Sequence, residues 1–347
     1  TSGSTGRPKG VAMVHRAIAN LVEWQLAQPG HERPLRTLQF AALSFDVSYQ
    51  ELFATWAAGG TLVLVDEDVR RDAGALLALL DERRIERAFV PFAALQAWSE
   101  AASGGAPIPR QLQHVVTAGE QLVVTDPVVA FFAKLAALQP ERRVVLDNQY
   151  GPTEAHVVTA LALTGAPSKW PRLPSIGGPI SNLEMRILDR WGALAGVGVP
   201  GELQLVGQGL ARGYVGRPDL TAERFVPDAE ASVPGARAYR TGDLARWRRN
   251  ASGDGEIEFL GRIDAQVKIR GFRVEPGEVE AVLVAHSEIA AAAVVAHGAA
   301  GAKRLIAYVE PSFAWSPEEI PTKLVDLRTW LSSRLPETYH RTTLSPA

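Results

Sequence analysis

Between residues 61 and 149 short β-branched runs alternate with helix-like stretches, and this alternation constrains the fold more than any other feature of the chain. TLVLV (61–65), AFVPF (88–92), HVVTAG (114–119) and VVLDNQ (144–149) read as strands. Helix-like segments separate them, such as AGALLALLDERRIE (73–86), with leucines at 76, 77, 79 and 80. Strands that alternate with helices predict a parallel sheet with helices packed on it, an α/β fold.

Two changes of texture follow. From about 176 to 262 glycine-punctuated strands, EMRIL (184–188), ELQLV (202–206) and EIEFL (256–260), predict a small β subdomain joined to the first part. After GRID (261–264) comes QVKIR (266–270), which alternates like a strand, and then EPGEVEAVLVAH (275–286), which starts a helix with Pro276 and early acids. AAAVVAH (291–297) and RLIAYVE (304–310) read as strands and TKLVDLRTWLSSRL (322–335) as an amphipathic helix, together a compact α+β module. The expected boundary lies at 263–265, dividing the 347 residues into domains 1–263 and 264–347.

The net charge of −2, from 36 basic and 38 acidic side chains, gives no electrostatic case for a nucleic-acid or membrane partner. No apolar run approaches the ~18 residues of a membrane span. The absence of cysteine excludes a disulfide framework, a thiolate metal site and a cysteine nucleophile, and fits a cytoplasmic setting.

Five stretches carry candidate chemistry. TSGSTGRPKG (1–10) has the glycines, hydroxyls and lysine of an anion-binding loop, but not the spacing of the common NTPase P-loop. SFDVSYQEL (44–52) presents Asp46, and NQYGPTE (148–154) sets an amide, a ring, a hydroxyl and a carboxylate on one turn. YRTGDLARW (239–247) holds Asp243 after a glycine turn, and GRIDAQVKIRGFRVEPGEVE (261–280) packs Arg262, Asp264, Lys268, Arg270 and Arg273 around glycines. Singly, each has a bland reading: a surface loop, a turn cap, a helix-start acid or a solvated basic face. Against the capping reading of Glu154, the residues after it, HVVTALAL, read as a strand. GQGLARG (207–213) has one residue too many for a dinucleotide fingerprint.

Taken in order, these stretches, with GELQLVGQGLARGY (201–214) and the glycine pair of TWAAGGTLVLV, resemble successive core motifs of the adenylate-forming superfamily, also called AMP-dependent synthetases and ligases. Within it the chain resembles the amino-acid-activating adenylation domains of nonribosomal peptide synthetases, over residues 1 to about 337. The implied fold is a large adenylate-forming N-terminal domain of mixed sheets, helices and a small β subdomain, followed by a smaller mobile α+β C-terminal domain. The implied reaction is a ligase reaction of secondary-metabolite biosynthesis. An amino acid is activated with ATP to an aminoacyl adenylate, pyrophosphate leaves, and the acyl group passes to the phosphopantetheine thiol of a carrier domain. Carrier and condensation domains of a larger synthetase are the implied partners.

The resemblance assigns the triphosphate to Thr1, Ser2, Gly3, Ser4, Thr5, Gly6 and Lys9, Mg²⁺ to Glu154, and the α-phosphate to Thr153. Tyr150 would stack on adenine and Asn148 would meet its amino group, beside the Gly119–Glu120 backbone. Asp243 would accept from the ribose hydroxyls, and Arg262 would reach ribose or phosphate. Asp46 would anchor the substrate ammonium, which argues against an acyl- or aryl-CoA ligase of the same superfamily. The side-chain pocket would be lined by Asp46, Val47, Gln50, Phe89, Val116, Ala118, Gln149, Val157 and Val158, a mostly apolar wall of proline-like type from which Gln149 departs. Asp264 would be the hinge, with Lys268 and Gly271 on the loop lining the thiol's path.

The family's front part is not in this sequence, and the end reads LPETYHRTTLSPA where the family has Leu-Pro-x-Tyr-Met-x-Pro and later an Asn-Gly-Lys lysine. The expectation is a fragment truncated at both ends, by truncation or a frame change at the second, and inactive alone without that lysine. A luciferase-like oxygenase of the same superfamily and a non-catalytic nucleotide-binding fragment are further alternatives.

Overall fold

The computed structural model describes residues 9–231, 233–250, 253–264, 266–269, 272–298, 303–336, 339 and 342–346. The chain divides into two compact units, Val11–Ile263 and Asp264–Ala347, and Lys9 and Gly10 group with the second.

The larger unit opens with α1 (His15–Leu26), β1 (Arg36–Gln39), α2 (Val47–Ala57) and β2 (Thr61–Leu64). There follow α3 (Glu67–Arg71), α4 (Ala73–Glu82), β3 (Arg87–Val90), α5 (Phe92–Ser103), β4 (His114–Thr117), α6 (Asp126–Leu138) and β5 (Val145–Tyr150). These strands, with β6 (Thr159–Leu163) and β7 (Gly178–Pro179), form one sheet in the order β2-β1-β3-β4-β5-β6-β7. The pairs from β1 to β5 are parallel, as the alternation predicts, and β6 and β7 are antiparallel.

Local chemistry sets the element ends. The Asp72 side chain caps α4 by accepting from the Ala75 N–H at 2.9 Å. That helix stops before the run 73–86 does, because Arg84 turns left-handed at φ 54° and Ile85 bonds back to Leu80. AFVPF does not remain a strand through Phe92: Pro91 ends β3, having no N–H for the ladder, and Phe92 begins α5. After β5 the chain turns at Gly151, where a Cβ would lie 1.6 Å from the His156 carbonyl oxygen, so only glycine fits.

A second, antiparallel sheet contains β8 (Leu183–Leu188), β9 (Gly201–Gly207), β10 (Phe225–Pro227), β11 (Arg237–Arg249) and β12 (Gly255–Arg262), with α7 (Pro218–Arg224) before β10. Leu203, Leu205, Ile257 and Tyr239 from this sheet pack with Tyr150, Val158 and Ile176 in one core. Burying each such side chain contributes about 1.5–3 kcal/mol. The glycine turn expected within YRTGDLARW is instead a bulge. The 13-residue β11 runs through it, with Gly242 at φ 70° and register slips beside Leu244. Such a slip re-aims one side chain without ending the strand.

In the smaller unit β13 (Val267–Ile269) and β14 (Phe272–Val274) form a hairpin, followed by α8 (Pro276–Val284), β15 (Ile289–His297), β16 (Arg304–Pro311), α9 (Ile320–Ser332) and β17 (Thr343–Pro346). Val279, Leu283, Ala307, Val309, Leu327 and Leu331 fill its core. The unfamiliar end of the sequence contributes a strand and a buried tyrosine. Thr343–Pro346 pairs in parallel with β16, and the buried Tyr339 donates its hydroxyl to Glu278. Among the described residues no helix is long and apolar enough to cross a membrane.

Candidate active site

Several of the expected site residues lie at the carboxyl ends of the parallel strands, the usual ligand position in α/β sheets. Phe89 lies near the end of β3, Val116 in β4 with Ala118, Gly119 and Glu120 just beyond, and Asn148, Gln149 and Tyr150 at the end of β5. The Glu120 carboxylate is engaged locally, accepting from the Ala93 N–H of α5 at 3.1 Å. Strand alternation divides β5 in two: Asn148 and Tyr150 share one face, Asp147 and Gln149 the other.

On the first face the Tyr150 hydroxyl donates to Asp243 Oδ2, and Arg262 donates from Nη1 to Asp243 Oδ1 at 2.8 Å and to the Thr241 carbonyl at 2.7 Å. Asp243 and Arg262 face each other across the β11–β12 ladder, so register and bulge produce this ion pair. Each carboxylate oxygen keeps a second lone pair for a further donor. Burial and the neighbouring Asp243 charge push the Tyr150 phenol well above its ordinary range. Asn148 donates from Nδ2 to the Ser175 carbonyl at 2.8 Å, which fixes the amide and leaves Oδ1 as its other pole.

Glu154 is fully buried, and its Oε1 accepts from the Tyr214 hydroxyl at 2.6 Å. That hydroxyl lies 3.3 Å from the Tyr239 hydroxyl. Burial, then the Glu154 charge, raises the Tyr214 phenol, so it stays a donor to Glu154. Thr153 beside it is half-buried. Carboxylate and hydroxyl oxygens form a hard donor set, which suits magnesium and its retained waters.

The link between this turn and the Asp46 segment is a residue the sequence reading missed. His156 sits at φ 57° and takes the Val157 N–H on Nδ1 at 2.9 Å, so its proton is on Nε2, which meets the Asp46 carbonyl at 2.9 Å. The half-buried Asp46 starts α2, its Oδ1 accepting from the Val47 N–H at 2.8 Å. The segment before it is held by Glu51 of α2, which accepts from the Phe40 and Ala41 N–H groups at 3.0 and 3.1 Å. Burial raises the Glu51 carboxyl to about 7, against those hydrogen bonds.

On the second face the side-chain amides of Gln50 and Gln149 meet at 2.9 Å, and Gln50 also donates to Gln25 Oε1 at 2.9 Å. Gln149 lines a cavity of about 270 Å³ with Trp24, Gln25, His31, Asp147 and Pro179. Of the nine residues expected around the substrate side chain, Gln149 is the one that lines this cavity, and its neighbours there are largely polar. Phe89, Val116, Val157 and Val158 are buried, and Val158 packs into the core between the sheets.

His31, His114 and Asp147 place three potential ligand atoms within 4.8 Å of one another. His31 Nδ1 already faces Gln25 Nε2 at 3.3 Å and Arg87 Nη1 at 3.4 Å, while its Nε2 faces Asp147 Oδ2 at 3.4 Å. A buried guanidinium at that distance opposes a divalent cation, so the cluster places the His31 imidazole between Arg87, which it meets at hydrogen-bond distance, and Asp147. Burial, then the nearby His31 and Arg87, pushes His114 down to about 2, keeping it neutral.

Thr1, Ser2, Gly3, Ser4, Thr5, Gly6 and Gly271 lie outside the described residues. In the smaller unit Lys9 is half-buried, Asp264 is exposed and accepts from the Gln266 N–H at 3.2 Å, and Lys268 lies on β13.

An α/β scaffold with polar groups at the carboxyl ends of its parallel strands places the chain among ligand-binding α/β proteins. Residues 1–215 match the family described as AMP-binding enzyme, and the chain belongs to that family. It is 41% identical over 97% of its length to tyrocidine synthase 2 of Brevibacillus parabrevis and 42% identical over 97% to phosphinothricin tripeptide synthetase PhsC of Streptomyces viridochromogenes. It spans only 9% and 28% of those proteins. Amide bond synthetase McbA from Marinactinospora thermotolerans superposes with a TM-score of 0.79 at 26% identity, covering 100% of this chain and 64% of that one. Holo-PA1221, an NRPS protein containing adenylation and PCP domains, superposes at 0.76 with 27% identity, covering 100% and 56%.

Proposed function

We propose that this chain is the adenylation module of a nonribosomal peptide synthetase, which activates an amino acid with ATP for transfer to a carrier thiol. The observation that carries the reading is the His156 bridge, which fastens the Asp46 segment to the turn bearing Thr153 and Glu154. An anion for an ammonium group is thereby held near the oxygen donors proposed for phosphate and metal.

In the first half-reaction the substrate carboxylate oxygen bonds to the α-phosphorus, and the bond to pyrophosphate breaks. In the second the phosphopantetheine thiolate takes the acyl carbon and AMP leaves, the thiol proton passing to solvent. Asp46 orients the substrate through its ammonium, and Tyr150 and Asn148 bind the adenine. Asp243 binds the ribose hydroxyls, while Arg262, held by Asp243, reaches ribose or phosphate. Glu154 would hold Mg²⁺, which neutralises charge on the transferring phosphoryl group. Lys9 and the residues before it cradle the triphosphate. Residues 1–263 form the AMP-binding domain, and 264–347 swing about Asp264 so that the loop with Lys268 and Gly271 lines the thiol's path. Carrier and condensation domains and a cytoplasmic setting complete the proposal.

Amino-acid-dependent ATP–pyrophosphate exchange tests it, on this chain and on a fusion that adds the front part and the Asn-Gly-Lys end of a related adenylation domain, with a panel of proline, valine, glutamine, asparagine and threonine beside fatty and aryl acids. Exchange with at least one amino acid and none with the other acids is expected in the fusion. Exchange driven by a fatty or aryl acid would support the acyl- or aryl-CoA ligase alternative, and ATP binding without any exchange a non-catalytic one.

A further inference from the structure

The amides on the second face of β5 are not free to choose their orientation. Arg87, from β3, is buried, and its guanidinium can only donate. Its Nη1 stands 3.4 Å from His31 Nδ1, so that nitrogen accepts and the imidazole proton sits on Nε2, toward Asp147. Thr37 and Thr55 hold the other side of the guanidinium, with their hydroxyls 3.1 Å from Nε and Nη2.

From there the polarity passes along the network. Gln25, on α1, must turn Nε2 toward His31 Nδ1, at 3.3 Å, because its oxygen would meet a lone pair. Gln25 Oε1 then faces Gln50, which must answer with Nε2, at 2.9 Å. The same Gln50 nitrogen meets Gln149 Oε1 at 2.9 Å, so the oxygen of Gln149 is committed and its NH₂ is the pole left over. Reversing any one amide would set oxygen against oxygen or NH₂ against NH₂. The arrangement leaves Gln50 Oε1 buried with no donor among the described residues. Gln25 and Gln149 both line the cavity.

We infer that Gln25 is a positioning residue. Through Gln50 it turns the amide NH₂ of Gln149 toward the substrate side chain, and so favours amino acids whose side chain carries a hydrogen-bond acceptor. This rests on the reading of Gln149 as a wall of the amino-acid pocket. It departs from the proline-like expectation, since proline has no such acceptor. A site that offers a buried donor rejects a ligand lacking the matching group more strongly than it rejects a small change of apolar size. Glutamine, asparagine and threonine fit; proline and valine do not.

The test has two arms, the first on the full chain and the second on the fusion. The first is side-chain amide exchange by ¹⁵N-resolved NMR, which needs no activity. Both Gln50 amide protons should be protected and both Gln149 amide protons should exchange quickly. In Gln25→Leu one Gln50 proton should lose protection while the backbone pattern is retained. Protected Gln149 amide protons in the wild type would overturn the inference, with or without turnover.

The second arm is the exchange panel. The acceptor-bearing side chains should exceed proline and valine by tenfold or more in kcat/KM. Gln25→Leu should raise KM for the preferred amino acid about tenfold, leave KM for ATP unchanged, and erase the preference. Gln25→Asn, which can still donate and accept, should restore part of it. Proline or valine as the best substrate would overturn the inference while upholding amino-acid activation. The expected amide spectrum with no exchange for any amino acid would uphold the polarity of the network and fail the functional reading instead.

Discussion

The two faces of β5 are built by different means. On one, Tyr150, Asp243 and Arg262 are held by a cross-strand ion pair and a phenol, each member charged or strongly polarised. On the other, Gln149 is held by neutral amides whose order traces to a buried guanidinium through an imidazole. Ladder register supplies the first arrangement, and it is suited to a ligand with fixed hydroxyls and phosphates. Side chains from α1, α2 and the loop after α1 supply the second, which can change without moving the sheet. A module that keeps one nucleotide and varies its amino acid would divide its strand in this way.

Breaking the first face should have the largest effect. Asp243→Ala removes the acceptor shared by Tyr150 and Arg262, and breaking a buried pair from one side costs about 3–5 kcal/mol. Urea denaturation should show that loss, accompanied by loss of AMP binding. A variant within about 1 kcal/mol of wild type would mean that the ion pair is dispensable.

Next comes the segment that carries Asp46. Glu51 has its carboxyl raised from 4.5 to about 7, chiefly by burial. A raised carboxyl favours folding in its protonated form, so its contribution is complete below pH about 4.5 and lost as pH rises through about 7. The shift corresponds to about 3 kcal/mol. Glu51→Gln, which does not ionise, should flatten the stability profile over that window. An unchanged profile would show that Glu51 titrates as an ordinary surface carboxyl.

The smallest effect belongs to the bridge between the faces. His156→Ala removes the hydrogen bonds to the Asp46 carbonyl and from the Val157 N–H, at about 1–2 kcal/mol. KM for the amino acid should rise several-fold with KM for ATP little changed. Equal changes in both would mean that His156 supports the whole site and not the Asp46 segment.

The parallel sheet was legible because its strands are short, β-branched and separated by helix-like runs, and so was the sorting of the NQYGPTE stretch, since a strand alternates. What pairs with those residues was not. Asp243 lies 93 positions from Tyr150, and only ladder register with a bulge joins them. The glycine of YRTGDLARW signalled a turn, and a bulge uses the same backbone freedom. His156, Gln25, His31 and Arg87 escaped the reading altogether. Lone polar residues within apolar runs carry no periodic signal, and Gln25 places an amide on the buried side of α1 where an aliphatic residue would have marked the helix. Of these four, His156 has a local oddity, a positive φ, and it is visible only in the backbone.

One face of β5 is proposed to hold the nucleotide and the other to read the amino acid. Calorimetric titration of ATP with Mg²⁺ into the wild type, Asp243→Ala and Gln149→Leu tests it most directly. Binding should be lost or weakened at least a hundredfold in Asp243→Ala and stay within twofold of wild type in Gln149→Leu. Equal weakening in both variants, or nucleotide binding lost only in Gln149→Leu, would contradict it.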